Sequence, residues 1–251
     1  AAEDLANTQD MHEIVERLTL ASGVAVITLV SMGAVWLLYT QINSRMAVRV
    51  AASLPPLFGS YRPDLFQAQR VAELAQPLIE GLSPSADAWL PETQRAIAEA
   101  AALKPLLPDD GKPFWVSFTL ADEEVSAPAC LRSGESVTAA VQAMLDLGVD
   151  AILFNCCQPE VIDAAIASTQ AVLHERGRSD MRIGAYANAF PPQPKEATAN
   201  EGLDELRPDL DPPAYAQWAA RWQAAGAQII GGCCGIGPEH IAYLQRHVLG
   251  R

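Results

Sequence analysis

The chain has 251 residues and a mass of 26.9 kDa; 50% of its residues are hydrophobic and 19% charged, which suffices for one full core and suits a single barrel-sized domain spanning residues 1–251. Its formal net charge of −13, with no Lys/Arg cluster interleaved with aromatics to reverse that field, excludes nucleic acid as a partner. The 5 cysteines are odd in number and include two adjacent pairs, which excludes a secreted disulfide framework and points to a reducing, cytoplasmic setting.

At the start of the chain, Asp4, Asp10, Glu13 and Glu16 occupy the place where a secretory signal needs positive charge. Leu18 to Ile42 then runs without a charged residue, long enough to cross a bilayer as a helix. The same stretch contains SGVAVITLVSMG, a β-branched run bounded by Gly23 and Gly33 and followed by the helical WLLYTQINSRM. A buried parallel strand with its helix is therefore the expected reading here, with a membrane anchor as the alternative.

From residue 47 onward short apolar runs alternate with longer segments of helical period, as repeated βα units require. The expected strands are VAVITL (24–29), AVRVAASL (47–54), ADAWLPET (86–93), PFWVSFTL (113–120), AILFNCC (151–157), RIGAYANAF (182–190) and QIIGGCC (228–234). Helical faces are predicted from Val137, Val141, Met144 and Leu145, from Ile162, Ala165, Ile166 and Thr169, and from Tyr215, Trp218, Ala219 and Trp222. The aromatic stripe on the last of these reads as core packing.

Asp211 before Pro212 and Pro213 supplies an N-cap and a first turn with preset φ, and Gly237-Pro238-Glu239 opens a final helix with Ile241, Leu244 and Val248 inward. His240 belongs to that helix as a capping or packing residue. Right-handed crossovers between such units predict an α/β fold of (β/α)8 TIM-barrel type, one strand short by this count. Open sheet edges would favour association into a homo-oligomer. Residues 191–211 carry no apolar period and follow a strand directly, so on a barrel they lie over the active-site face, as a lid or as a solvated acidic loop.

Cys156 and Cys157 end one expected strand, and Cys233 and Cys234 end another two units later, so the thiols converge on one rim. Neighbouring side chains on a strand point to opposite faces, so both members of a pair reach one point only if the backbone turns; Gly231, Gly232 and Gly235 allow that turn. Three thiolates would suit Zn²⁺, with a fourth position open to a thiol substrate. Cys157 also reads as a small buried residue, and Cys130, in the polar loop SAPACLRSGES, as incidental.

NCCQPE (155–160) and IGGCCGIGPEHI (230–241), preceded by DPPAYAQWAARWQAAGA, resemble the homocysteine S-methyltransferase family of zinc-dependent barrels, clearly over about residues 47 to 250 and more faintly over 20 to 46. The resemblance implies methyl transfer from a sulfonium donor, S-methylmethionine or S-adenosylmethionine, to the zinc-bound thiolate of homocysteine, giving methionine. It implies Zn²⁺ as cofactor, with Cys156, Cys233 and Cys234 as metal ligands and catalytic residues and Cys157 left out, because the family's ligand follows the asparagine directly. Glu92, in AWLPETQ, matches a glutamate suited to the amino group of homocysteine, and Asn188, in YANAF, an asparagine at the end of a later strand that either touches substrate or supports the residues that do. The family's glycine-rich first strand with its acidic residue has no counterpart before Ala21, so the resemblance implies a barrel incomplete or altered at its first βα unit. A homologue that binds zinc or thiols without turnover is the alternative that this departure leaves open.

Overall fold

Short runs of β-branched and aromatic residues become strands wherever turn residues bound them in the computed structural model, which describes residues 49–125, 128–194, 197 and 205–250. The strands are β1 (Ala51–Leu54), β2 (Ala88–Pro91), β3 (Trp115–Phe118), β4 (Ala151–Asn155), β5 (Arg182–Tyr186) and β6 (Ile229–Ile230). Each is followed by a helix: α1 (Val71–Leu82), α2 (Ile97–Leu103), α3 (Val137–Asp146), α4 (Pro159–Glu175), α5 (Pro212–Ala224) and α6 (Pro238–His247).

The ladders between these strands are parallel, β1 with β2 and β3-β4-β5-β6 in chain order. Bridges Trp89–Phe114 and Gln94–Phe118 carry the order across β2 and β3, where Trp89 N donates to Pro113 O at 2.8 Å and Gln94 N to Ser117 O at 2.8 Å. The described residues Val50 to 250 thus form six successive βα units in one compact unit. The strand expected at 24–29, its following helix and the whole apolar stretch from Leu18 to Ile42 lie outside the described residues. Among the described residues no helix is long and apolar enough to cross a membrane.

The strands are shorter than the apolar runs that announce them. The ladder in ADAWLPET stops at Pro91, and the residues beyond each strand leave the sheet to build the rim. Period-two alternation sorts the two faces. Trp89, Val116, Phe118, Ile152, Phe154, Ile183 and Ala185 join the main core beneath the helices. Leu90, Ala151 and Leu153 form a small inner cluster against Ala51, Trp115, Tyr186 and Ile229.

The helices start where their sequences say. Ser136 Oγ accepts from Ala139 N at 3.1 Å and Asp211 Oδ1 from Ala214 N at 2.9 Å, capping α3 and α5. On α5, Tyr215 and Trp222 are buried edge to face at 5.7 Å, while Trp218 is half-buried under the Arg221 guanidinium, 4.4 Å from its ring centre. His240 caps α6 by accepting from Gly237 N through Nδ1 at 3.2 Å, and its Nε2 meets Leu210 O at 3.0 Å.

One expectation for α6 is corrected. Leu244 is buried, but Ile241 is 44% exposed, because His240 takes the inward position one turn before Leu244 and Ile241 falls beside it on the solvent face.

Candidate active site

The C-terminal ends of the strands carry the polar half of the inner face. Ser53 on β1, Ser117 on β3, Asn155 on β4 and Tyr186 on β5 share parity with the inner apolar cluster, as does Glu92, two residues beyond Leu90. They bond to one another across strands. Ser53 Oγ and Tyr186 Oη both donate to the Glu92 carboxylate, the latter at 2.9 Å. Ser117 Oγ donates to Asn155 Oδ1 at 2.7 Å, and Asn155 Nδ2 donates to Thr93 Oγ1 at 2.8 Å.

Cys156 follows Asn155 and by alternation would point to the helices. Its backbone instead adopts φ +53°, which swings the thiol over the rim. The sequence reading assigned such a turn to glycines, and at this position the cysteine itself makes it. Cys157 then goes into the core, fully buried, and burial pushes its thiol pKa well up.

The second pair is set by pairing to the extension of β5. Cys233 N donates to Ala187 O at 2.9 Å and Ala189 N to Cys234 O at 2.8 Å, while Tyr215 Oη donates to Gly231 O at 2.9 Å. Gly235, at φ +78°, closes the turn; a Cβ there would meet Leu206 and Ala189.

The three sulfurs come together. Cys156 Sγ lies 3.9 Å from Cys234 Sγ, Cys233 Sγ lies 3.8 Å from Cys234 Sγ, and all three fall within 4.8 Å of one another. A tetrahedral Zn²⁺ with sulfur ligands at about 2.3 Å needs S···S separations of about 3.8 Å, so the donor set fits that ion in both chemistry and span. Electrostatics agree with the geometry. Hydrogen bonds from Cys156 and Cys233 pull the exposed Cys234 thiol down to about 3. The Cys156 and Cys234 thiols and burial push Cys233 far above its ordinary value. A hydrogen bond from Cys233 lowers Cys156, but Cys234 and burial outweigh it, so that it is pushed up to about 11. Three thiols held this close set their negative charges against one another, a conflict that a divalent cation would relieve.

These thiols form one wall of a cavity of about 320 Å³, lined also by Glu92, Tyr186, Ser53, Asn155, Thr93 and Tyr61. The described non-glycine residues with left-handed φ, Tyr61 (65°), Thr93 (59°) and Cys156 (53°), all lie on this cavity. Each costs on the order of 1–3 kcal/mol, and such strain gathers where a site must be shaped.

Of the residues expected from sequence, Cys156, Cys233, Cys234 and Glu92 meet at this cavity. Asn188 is buried beside Gln158, where its Oδ1 accepts from Gln158 Nε2 at 3.2 Å and from Phe190 N at 3.3 Å; it stands behind the residues that line the cavity and is not one of them. Sequence reasoning missed Ser53, Asn155, Tyr186 and Tyr61. The first three were within reach of the period-two rule applied from the inner apolar residues; Tyr61 carried no periodic signal.

Six parallel βα units with three thiols gathered at the strand ends define a parallel α/β protein with a cysteine constellation of a span that could hold a metal ion. A sequence model of the homocysteine S-methyltransferase family matches residues 8–248, and the chain belongs to that family. The homocysteine S-methyltransferase of Escherichia coli K12 is 30% identical over 173 residues, covering 68% of this chain and 51% of the relative. The chain thus spans about half the length of the curated relative it matches. Among solved structures, the oxidized form of the homocysteine methyltransferase MmuM from Escherichia coli superposes with a TM-score of 0.60 at 25% identity, over 83% of this chain and 65% of that one.

Proposed function

We propose that this chain transfers a methyl group from a sulfonium donor to the sulfur of homocysteine, giving methionine, on a single (β/α)8 barrel whose rim holds Zn²⁺ through Cys156, Cys233 and Cys234. The observation that carries this reading is the meeting of three thiols, from two strand ends distant in sequence, at one cavity of a family member. When bound, Zn²⁺ supplies Lewis acidity that keeps a substrate thiol in its anionic form at neutral pH.

The chain's own residues do the rest. Glu92, fixed by Ser53 and Tyr186, presents its carboxylate to the cavity and suits the ammonium group of homocysteine. None of the described lining residues is Lys or Arg, so the cavity favours a cationic donor, S-methylmethionine or S-adenosylmethionine. The substrate thiolate attacks the methyl carbon in line, a carbon–sulfur bond forms as the sulfonium carbon–sulfur bond breaks, and the donor leaves as a neutral thioether. The walls position both sulfurs and exclude water.

The test is methionine formation by reduced, metal-loaded protein given homocysteine and each donor in turn. Turnover with a sulfonium donor is expected. Homocysteine binding without methionine from either donor would instead make this a family member that binds thiols and does not turn over.

A further inference from the structure

Tyr61 lies in the loop between β1 and α1, outside any regular element, yet it is buried and its hydroxyl is 3.1 Å from Cys156 Sγ. A phenol is protonated at neutral pH and a ligand thiolate can only accept, so the bond runs from the tyrosine to the sulfur. The left-handed backbone at Tyr61, φ 65°, is not a conformation a tyrosine adopts unaided.

Two buried arginines hold it. Arg95, with no exposed surface, donates through Nη1 to the carbonyls of Gly59 and, at 2.8 Å, of Arg62, the two residues that bracket the strained turn. Its other nitrogens are taken by the Glu99 carboxylate, one through Nε at 3.1 Å. The Arg132 guanidinium lies 4.9 Å from the Tyr61 ring centre and is itself paired with buried Asp122 at 2.9 Å. Taking two ion pairs out of water gives little or no net stability, so their convergence on one loop tyrosine calls for another role.

We propose that Tyr61 is a positioning residue for the metal site: it donates a hydrogen bond to the Cys156 sulfur and thereby lowers the donor strength of that ligand, and Arg95 is the strut that keeps it in place. This rests on the reading of the three thiols as metal ligands. A hydrogen bond to one sulfur draws charge from it, which eases the approach of a further anionic sulfur to a site already carrying three. Asn155 Nδ2, 3.9 Å from Cys233 Sγ, acts on a second sulfur more weakly.

The experiment is optical. Reduced protein loaded with Co²⁺ in place of Zn²⁺ shows sulfur-to-cobalt charge-transfer absorption, whose energy falls as the sulfur becomes a stronger donor. Tyr61→Phe, which removes one oxygen and keeps the ring, is expected to shift this band to longer wavelength at unchanged cobalt stoichiometry. Arg95→Lys, or the milder Glu99→Gln, is expected to shift it in the same direction, and the double variant with Tyr61→Phe no further than Tyr61→Phe alone. A native-like band in Tyr61→Phe overturns the proposal, and a native-like band in both strut variants overturns the role of Arg95. Absence of any such band in the native chain overturns the metal reading itself, a result distinct from the other two.

Discussion

A thiol among thiols is an unequal partner. The hydrogen bonds that Cys156 and Cys233 make to Cys234 lower it to about 3, while the same neighbours and burial raise Cys233, and Cys156 is pushed up to about 11. At pH 6 Cys234 is therefore above its pKa and ionised, whereas Cys156 is below its own and protonated, and Cys234 is also the exposed member. Limited iodoacetamide treatment of reduced, metal-free protein at pH 6 should alkylate Cys234 before Cys156, Cys157 or Cys233, as peptide mass mapping will read; prior modification of Cys157 would contradict the burial described. Glu92 gives a second prediction at this scale. A charge-assisted hydrogen bond contributes about 1.5–3 kcal/mol, so Glu92→Gln should raise the KM for homocysteine on the order of 10- to 100-fold with a smaller change in kcat. An unchanged KM would remove Glu92 from substrate recognition.

Turns at the ends of β4 and β6 decide whether three sulfurs meet. At β4 the turn is made by Cys156 itself, so the strand can stay fully buried up to Asn155 and still deliver a thiol to the rim. After β6 it is made by Gly235 at φ +78°, packed so closely that an added Cβ would lie 2.6 Å from Leu206 Cδ2 and 3.0 Å from Ala189 Cβ. Left-handed backbone costs a residue with a Cβ about 1–2 kcal/mol before any clash. Gly235→Ala should therefore displace Cys233 and Cys234, weakening metal retention against a chelator by at least about 10-fold while the helical circular dichroism stays native. Native retention in a folded Gly235→Ala protein would mean that this turn does not set the thiols.

Over the whole molecule, alternation of β-branched runs with helical periods made six βα units legible, because a parallel sheet covered by helices leaves that imprint on both layers. Strand ends were less legible. ADAWLPET and PFWVSFTL run on past their ladders because the rim uses the same residue types as the strand. The cysteines announced a site by recurring at two strand ends, yet choosing Cys156 over Cys157 required the family pattern, since the choice turns on one φ angle. Tyr61 was invisible for a related reason: it reaches Cys156 through a loop shaped by Arg95 and Arg132, contacts that no local periodicity encodes. Asn188, expected either to touch substrate or to support the residues that do, is buried and accepts from Gln158 and from the backbone at Phe190. The central claim is that these separated parts close on one divalent cation. Elemental analysis of reduced, purified protein tests it most directly: zinc at one equivalent per chain, lost in Cys233→Ser, is predicted, and a native chain that takes up no zinc, or a Cys233→Ser chain that holds it as firmly, would contradict it.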